Sequence, residues 1–366
     1  MNQASVPAPA YALEASDLSV ILGGQNVLAI PSLQVLPGEV FVIIGPNGSG
    51  KTTLLLCLAL LLRPASGTIF YGGQPVNTGP EILEMRRRSA VVFQEPLLLS
   101  GTVWDNVTLG LRLRGFAKED IRARTEKWLG RFGIASLAQR QAKTLSGGEA
   151  KRASLARAFA LQPDVLFLDE PFNSLDSPTR QAMMEDFESV LRETKVTTVM
   201  VTHDRNEAIG LANRIAVLIN GHVHQIGTPE EIFSYPVDEE VASFVEIENI
   251  INGIIVSRQD ELIDIAIGGN VIEAISAYPK GEQVSACIRP EDITLARSKT
   301  SSSARNSFAG EITRIVSLGA LRRVEINCGF SLVALITKKS AEEMELDRGK
   351  PIYASFKATG VHVIKR

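Results

Sequence analysis

Two styles of hydrophobic patterning divide the chain. From about Tyr11 to Tyr235, short apolar runs alternate with helix-period segments, which predicts an α/β domain. EVFVIIG (Glu39 to Gly45) and VLFLDE (Val165 to Glu170) read as buried strands, and TTVMV (Thr197 to Val201) as a β-branched strand. KTTLLLCLALLL, starting at Lys51, reads as a helix. Between Pro96 and Ala160 the pattern turns to charged helix-period segments such as KEDIRARTEKWLGRFGI, with no clear strand, and predicts a helical insertion. GHVHQIGTPEEIF predicts a hairpin and a short helix capped near Thr228, with Pro229 in its first turn.

After about Val241 short strand-like runs separated by glycine and polar turns take over: INGIIVS, LIDIAIGG, VIEAIS, QVSACIRP. They predict a separate β domain, a small barrel. It contains a repeat. GEQVSACIRPEDITL and GKPIYASFKATGVHV align without gaps from Gly281 and Gly349, an offset of 349 − 281 = 68. The alignment pairs Val284 with Ile352, Ala286 with Ala354, Arg289 with Lys357 and Ile293 with Val361. VIEAIS and LVALIT form a second matched pair at another offset, and SKTSSS (Ser298 to Ser303) reads as the linker between the halves.

Composition narrows the function classes. A chain of 366 residues holds two or three domains with real cores, and a formal net charge of −3 argues against a general nucleic-acid binder. The start, MNQASVPAPAYALEAS, has neither the basic residues nor the apolar core of a secretory signal. The longest apolar run, Leu54 to Leu62, falls far short of the ~20 residues a spanning helix needs. The expectation is a soluble protein whose membrane attachment goes through a partner. Cys57, Cys287 and Cys328 are odd in number and widely spaced, which fits structural thiols in a reducing compartment.

The candidate chemistry lies at the strand ends. Gly45-Pro46-Asn47-Gly48-Ser49-Gly50-Lys51-Thr52, followed by Thr53, fits G-x-x-x-x-G-K-[ST] between a strand and a helix. Glycines let successive backbone N–H groups converge on phosphate oxygens, and the helix adds its positive end. Lys51 supplies a point charge to the β- and γ-phosphates and Thr52 a hydroxyl to Mg²⁺. Asp169 suits the Mg²⁺ shell, and Glu170 suits a general base that polarises the attacking water. Ser146-Gly147-Gly148 opens the helix GEAKRASLARAFAL and offers a hydroxyl and bare amides as an anion site. Read alone, that tripeptide is equally a capped helix start with no ligand.

In order along the chain, the phosphate loop, Gln94 in VVFQEP, LSGGE (Leu145 to Glu149), LDEP and His203 resemble the nucleotide-binding subunit of an ABC transporter over roughly the first 235 residues. The resemblance implies a P-loop NTPase: a RecA-like α/β core with a helical insertion over about 96–160, spanning 11–240, followed by an all-β, OB-like barrel over 241–366 with repeat halves 250–297 and 303–366. It implies that Gln94 senses the γ-phosphate through Mg²⁺ or water. His203 contacts the γ-phosphate, and Asp176 lies on the loop through which two subunits sense each other. Ser146, Gly147 and Gly148 complete the ATP site of a second subunit, so the expected assembly is a homodimer sandwiching two ATP with Mg²⁺. There are two departures. Glu149 replaces the usual Gln, and its acid suits the helix dipole. No aromatic lies between Tyr11 and Phe41, where the family stacks one on adenine, so apolar packing on Leu22 or Val27 takes its place.

RPEDI (Arg289 to Ile293) resembles the regulatory domain of importer ATPases for sugars, polyamines, sulfate, iron and oxyanions. SARNSFAGEITRI, LVALITKKSAEEMEL and YASFKATGVHVI resemble the molybdate-binding (Mop) type of that domain. That likeness implies an oxyanion held by Ser303, Ala304, Arg305, Asn306, Lys357 and Thr359, with Ser340; the alternative is a dimerisation barrel that binds nothing. The expected function is the ATP-hydrolysing subunit of a binding-protein-dependent importer for molybdate or tungstate. The chain would sit peripherally on the cytoplasmic face of the cell (inner) membrane, its partners two transmembrane permease subunits and, acting through them, an extracellular or periplasmic substrate-binding protein, with no nucleic acid. Sulfate, iron or polyamine import, or a soluble ATPase outside transport, are the alternatives.

Overall fold

The computed structural model describes residues 11–299 and 302–366, and the chain divides into two units, Met1–Pro229 and Glu230–Arg366. Thr300 and Ser301 of the expected linker lie outside the described residues. The break precedes the expected one at 240 because the short helices after Thr228 belong with the β domain. There the Ser285 hydroxyl donates to the Glu239 carboxylate, and His362 Nε2 lies 2.8 Å from the Pro236 carbonyl oxygen.

In chain order the first unit runs β1 (Leu13–Leu22), β2 (Gln25–Val35), β3 (Val40–Ile44), α1 (Lys51–Leu58), β4 (Ser66–Tyr71), β5 (Gln74–Pro75), α2 (Gly79–Arg88) and β6 (Ser89–Val92). It continues α3 (Val103–Leu113), α4 (Lys118–Arg131), α5 (Gly147–Ala160), β7 (Val165–Asp169), α6 (Ser177–Thr194), β8 (Thr197–Val201), α7 (Arg205–Leu211), β9 (Arg214–Ile219) and β10 (His222–Gly227). One sheet is antiparallel, β2-β1-β4-β5. The other has the order β10-β9-β3-β8-β7-β6 and is parallel except for the β9–β10 hairpin. Every residue of β3, β7 and β8 is buried, as continuous apolar runs require when both faces are covered. Phe41, Ile43, Phe167, Val199, Val201 and Leu218 share one core with Leu54, Leu55 and Leu58 of α1.

The helix expected over KTTLLLCLALLL ends at Leu58. Leu60 turns to φ 60, and the Arg86 guanidinium takes the freed Leu60 carbonyl with N–O distances of 3.0 and 2.5 Å. In the helical insertion, α3 and α4 pack on α5, and Trp128, Phe132 and Phe159 cluster with ring centroids 4.9 to 6.1 Å apart. That cluster fixes α5, and with it the position of Ser146 at the helix start.

The second unit contains α8 (Pro229–Ser234), α9 (Glu239–Phe244), β11 (Asn249–Gln259), β12 (Leu262–Ile267), β13 (Asn270–Ile275), β14 (Gln283–Ile288) and β15 (Thr294–Ala296). After these come β16 (Asn306–Leu318), β17 (Leu321–Asn327), β18 (Ser331–Thr337), α10 (Lys338–Glu343), β19 (Pro351–Phe356) and β20 (Val361–Lys365). Its sheets have the orders β13-β12-β11-β14-β20 and β18-β17-β16-β19-β15, around a shared core that includes Ile263, Ile265, Ile326, Leu332 and Phe356. The second order is the first with every strand replaced by its repeat mate. The closing strands are exchanged: β15 pairs with β19 and β20 with β14.

Two asparagines at equivalent places hold the halves together. Asn249, first residue of β11, accepts from Val333 N (2.6 Å) and donates to the carbonyls of Val333 (2.9 Å) and Ile288 (3.0 Å). Asn306, first residue of β16, accepts from Glu273 N and donates to Glu273 O, both at 2.8 Å. Each asparagine thus pins the strand at the far end of the other half's sheet. Both are buried, so truncation strands backbone groups away from water. Asn249→Ala and Asn306→Ala are each expected to lower the stability of the second unit by about 2–4 kcal/mol, read from its denaturant midpoint. A change below about 0.5 kcal/mol would show that neither pin matters.

Candidate functional site

The parallel sheet brings four strand ends to one edge: β3 leads into the phosphate loop, β6 to Gln94, β7 to Asp169 and Glu170, and β8 to His203. Glycine is obligatory in the loop. Gly45 has φ 157, and a Cβ there would stand 2.0 Å from the Leu218 carbonyl oxygen. At Gly50, φ 101, a Cβ would come within 2.7 Å of Leu28. Gly48 has φ 80 and faces open space. Asn47 is exposed, and Thr53 follows Thr52 in the first turn of α1.

Lys51 is buried, with its Nζ 2.9 Å from the carbonyl oxygens of both Gly45 and Pro46. Burial lowers its pKa, against the opposing pull of Glu170 and Asp169. The Ser49 hydroxyl is buried without a hydrogen-bond partner among the described residues. A cationic loop holding an unsatisfied hydroxyl is what a phosphate group would complete. Thr52 Oγ1 donates to Asp169 Oδ1 at 3.1 Å, and burial raises the Asp169 pKa. One hydroxyl beside one carboxylate suits Mg²⁺, which keeps waters and takes its remaining ligands from phosphate. Among the described residues no cluster of three or more His, Cys, Asp or Glu could hold a metal by itself.

Glu170 carries the densest set of contacts. Its backbone turns to φ 44 at the end of β7 while its N–H stays bonded to Val201 O at 2.9 Å. Oε2 accepts from Asn173 Nδ2 (2.8 Å) and Gln94 Nε2 (3.2 Å), and Oε1 lies 3.0 Å from His203 Nδ1. The sequence reading did not single out Asn173, three residues past Glu170. Gln94, expected at the metal, rests here on the general-base candidate.

The remaining candidates lie elsewhere. Ser146 caps α5, its hydroxyl accepting from Glu149 N at 3.3 Å while Glu149 Oε2 accepts from Ser146 N at 2.7 Å. Glu149 is therefore more than tolerated: it closes a capping box and pairs with Arg140 at 3.5 Å. Gly147 and Gly148 give the first turn its bare amides. Asp176 caps α6 by accepting from Thr179 N at 3.0 Å and Thr179 Oγ1 at 2.8 Å. Leu22 is exposed and Val27 half-buried beside the β1–β2 turn.

In the second unit Ser303, Ala304, Lys357 and Thr359 line one cavity of about 820 Å³, together with Arg289 and the acids Glu291 and Asp292. Three expected oxyanion residues are spent otherwise. Arg305 is ion-paired with Glu273, and both amide groups of Asn306 hold the β13 backbone. Ser340 is outside that lining, its hydroxyl 2.8 Å from Thr337 Oγ1 at the start of α10. Arg289 was missed as a site residue although the repeat pairs it with Lys357.

The family described as ABC transporter matches residues 28–173, and the TOBE domain family matches 302–363. The molybdate/tungstate import ATP-binding protein WtpC of Pyrococcus abyssi is 37% identical over 333 residues, covering 91% of this chain and 94% of its own. The sulfate/thiosulfate import ATP-binding protein CysA of Mycobacterium tuberculosis is 33% identical over 347 residues, 94% of this chain and 91% of its own. Among solved structures, the dimeric post-hydrolysis state of the ATP-binding cassette MJ0796 with ADP and Pi superposes at a TM-score of 0.55 and 28% identity, covering 59% of this chain and 98% of that one.

The loop geometry makes unequal demands on its glycines. Gly45→Ala is expected to abolish nucleotide binding, because the loop must move off Leu218. Gly48→Ala, strained only in its backbone, is expected to weaken binding about tenfold. Titration with a fluorescent ATP analogue measures both, and unchanged affinity in Gly45→Ala would overturn this account of the loop.

Proposed function

The chain belongs to the ATP-binding subunits of ABC importers, and on that premise we propose that it hydrolyses ATP as a homodimer to drive the uptake of molybdate or tungstate. The observation that carries the hydrolytic reading is Glu170, a carboxylate at the strand edge beside the phosphate loop, aimed by Asn173, Gln94 and His203. Each ATP lies between Gly45–Thr53 of one protomer and Ser146–Gly148 of the other. Lys51 balances charge on the β- and γ-phosphates. Thr52 and Asp169 would hold Mg²⁺, with Gln94 as a further candidate ligand, and the ion would supply neutralising charge to the phosphate oxygens. Glu170 accepts the proton of the water that attacks the γ-phosphorus as the bond from that phosphorus to the β,γ-bridging oxygen breaks and ADP leaves with the electron pair, and His203 keeps the carboxylate aimed.

The dimer docks on two permease subunits at the membrane. No helix among the described residues is long and apolar enough to cross one. A groove of about 390 Å³, lined by Leu61, Phe93, Leu109, Leu113 and Leu161 with Arg86 and Arg157, suits a short helix of the permease. Leu113 is 77% exposed there, as a docking residue should be. Support for the cargo is the identity with the molybdate/tungstate protein along nearly its full length, with the cavity at Ser303, Ala304, Lys357 and Thr359 as the candidate oxyanion site.

Glu170→Gln is expected to bind ATP and to dimerise on it while phosphate release falls about 10²–10⁴-fold. Normal turnover would remove Glu170 from the chemistry. Calorimetry of the whole protein with molybdate, tungstate and sulfate is expected to show binding of the first two and its loss in Lys357→Met. Absence of any oxyanion heat would sink the cavity assignment and leave the ATPase reading standing.

A further inference from the structure

We propose that Lys151 is a positioning residue that ties the anion-binding turn of α5 to Glu170, so that nucleotide gripped by Ser146–Gly148 sets the aim of the general base in the same chain. The proposal rests on the reading of Glu170 and of the shared ATP site given above.

Lys151 stands one helical turn beyond Gly148 and is only 8% exposed. Its ammonium donates to the carbonyl oxygen of Asn173. The same Asn173 donates its side-chain amide to Glu170 Oε2 at 2.8 Å, and its N–H closes a turn on Glu170 O at 3.2 Å. One residue therefore receives the lysine on its backbone and holds the carboxylate with its side chain.

A second contact joins the same parts. A Cβ on Gly148 would lie 3.4 Å from Thr179 Cγ2 and 3.7 Å from Leu175 Cδ2, so the first turn of α5 rests on the start of α6. α5 thus touches the segment after Glu170 twice, at Asn173 through Lys151 and at Leu175 and Thr179 beside Gly148. Glu170 (φ 44) and Ser174 (φ 64) both adopt left-handed backbone, so the loop holds a shape it would not take unaided.

Lys151 also belongs to a charge group, buried at Lys151 and Glu207 and half-buried at Arg180 and Asp204, that the hydrolytic step does not use. Arg180 of α6 pairs with Asp204 at 2.8 Å, and Glu207 of α7 accepts from Thr202 Oγ1 at 2.6 Å. Burial lowers the Lys151 pKa, with Glu207 and Glu170 acting to raise it and Arg180 to lower it. An apolar residue at this position would avoid that desolvation cost. What the ammonium adds is a directed bond to the loop carrying Glu170.

The test compares Lys151→Met, Lys151→Arg and Asn173→Ala in the full-length protein, measuring ATP affinity, melting temperature and kcat, alone and combined with Glu170→Gln. Lys151→Met is expected to lower kcat about 10- to 100-fold while ATP affinity stays within about threefold. Lys151→Arg, which keeps the charge and the donor, should restore kcat to within about threefold of the parent. Because Lys151 acts through Glu170, its loss should cost nothing further in the Glu170→Gln background. Full turnover in Lys151→Met, or an equal further loss in that background, would overturn the proposal. If Lys151→Met does not fold, Asn173→Ala cuts the same link and should show the same fall in kcat; full activity there overturns it equally. Normal turnover in Glu170→Gln would instead bring down the general-base reading and this link with it.

Discussion

The parallel register of β3, β8, β7 and β6 is the constraint on which the nucleotide site depends. Asp169 pairs with Val201 and Leu168 with Met200, so β7 and β8 end level, and Val92 pairs with Leu168 on the other side. Gln94, Glu170 and His203 meet only because three strands, far apart in sequence, finish at one edge. Of the three hydrogen bonds that aim Glu170, the one from Asn173 is local, but those with Gln94 and His203 join separate strand ends and cannot form in an isolated hairpin or helix. The site is therefore as cooperative as the sheet itself: a strand slipped by one residue would turn its end residue to the other face. A carboxylate in such a place also needs its lone pairs occupied in a fixed geometry, and Gln94, Asn173 and His203 do this from two strand ends and the following loop.

The second unit solves a different problem. Each half has too few strands to close its own sheet, and each takes the last strand of the other. Exchange of this kind makes the halves mutually dependent, so neither is expected to persist alone. The two asparagines reinforce the exchange with directed bonds where apolar packing is indifferent to sliding. Asn249 and Asn306 are polar groups in a core rich in Ile, Val and Ala, and full hydrogen bonding makes them a source of register rather than a loss.

Most of this was legible in the sequence, for identifiable reasons. The buried strands are continuous apolar runs, and the phosphate loop carries its glycines at positions set by backbone geometry. Both signals are local. The gapless repeat from Gly281 and Gly349 likewise corresponds to strand, 3₁₀ turn and strand in each half. What was not legible depends on distant partners. Asn306 looked like an anion ligand because it ends SARN, yet its groups serve Glu273, 33 residues earlier. Lys151 is an ordinary charge on a helix until the packing of α5 buries it. The early end of α1 depends on Arg86 reaching the Leu60 carbonyl from α2.

The repeat also bears on where in the large cavity the proposed anion would sit. With the offset of 68, Glu291 corresponds to Thr359 and Asp292 to Gly360, while Arg289 corresponds to Lys357. Both 3₁₀ turns follow a basic residue and both face the cavity. The first presents two carboxylates, and the second presents a hydroxyl and a bare backbone. Both acids are exposed and partly screened by water, but a carboxylate still opposes a nearby dianion, whereas a hydroxyl and a bare backbone N–H can donate hydrogen bonds to it. The oxyanion proposed for this cavity would therefore be disfavoured at the turn of Glu291 and favoured at the turn of Thr359, beside Lys357, Ser303 and Ala304. The two halves share a fold and a sequence pattern, but the charge on their 3₁₀ turns makes them unequal as surroundings for an anion.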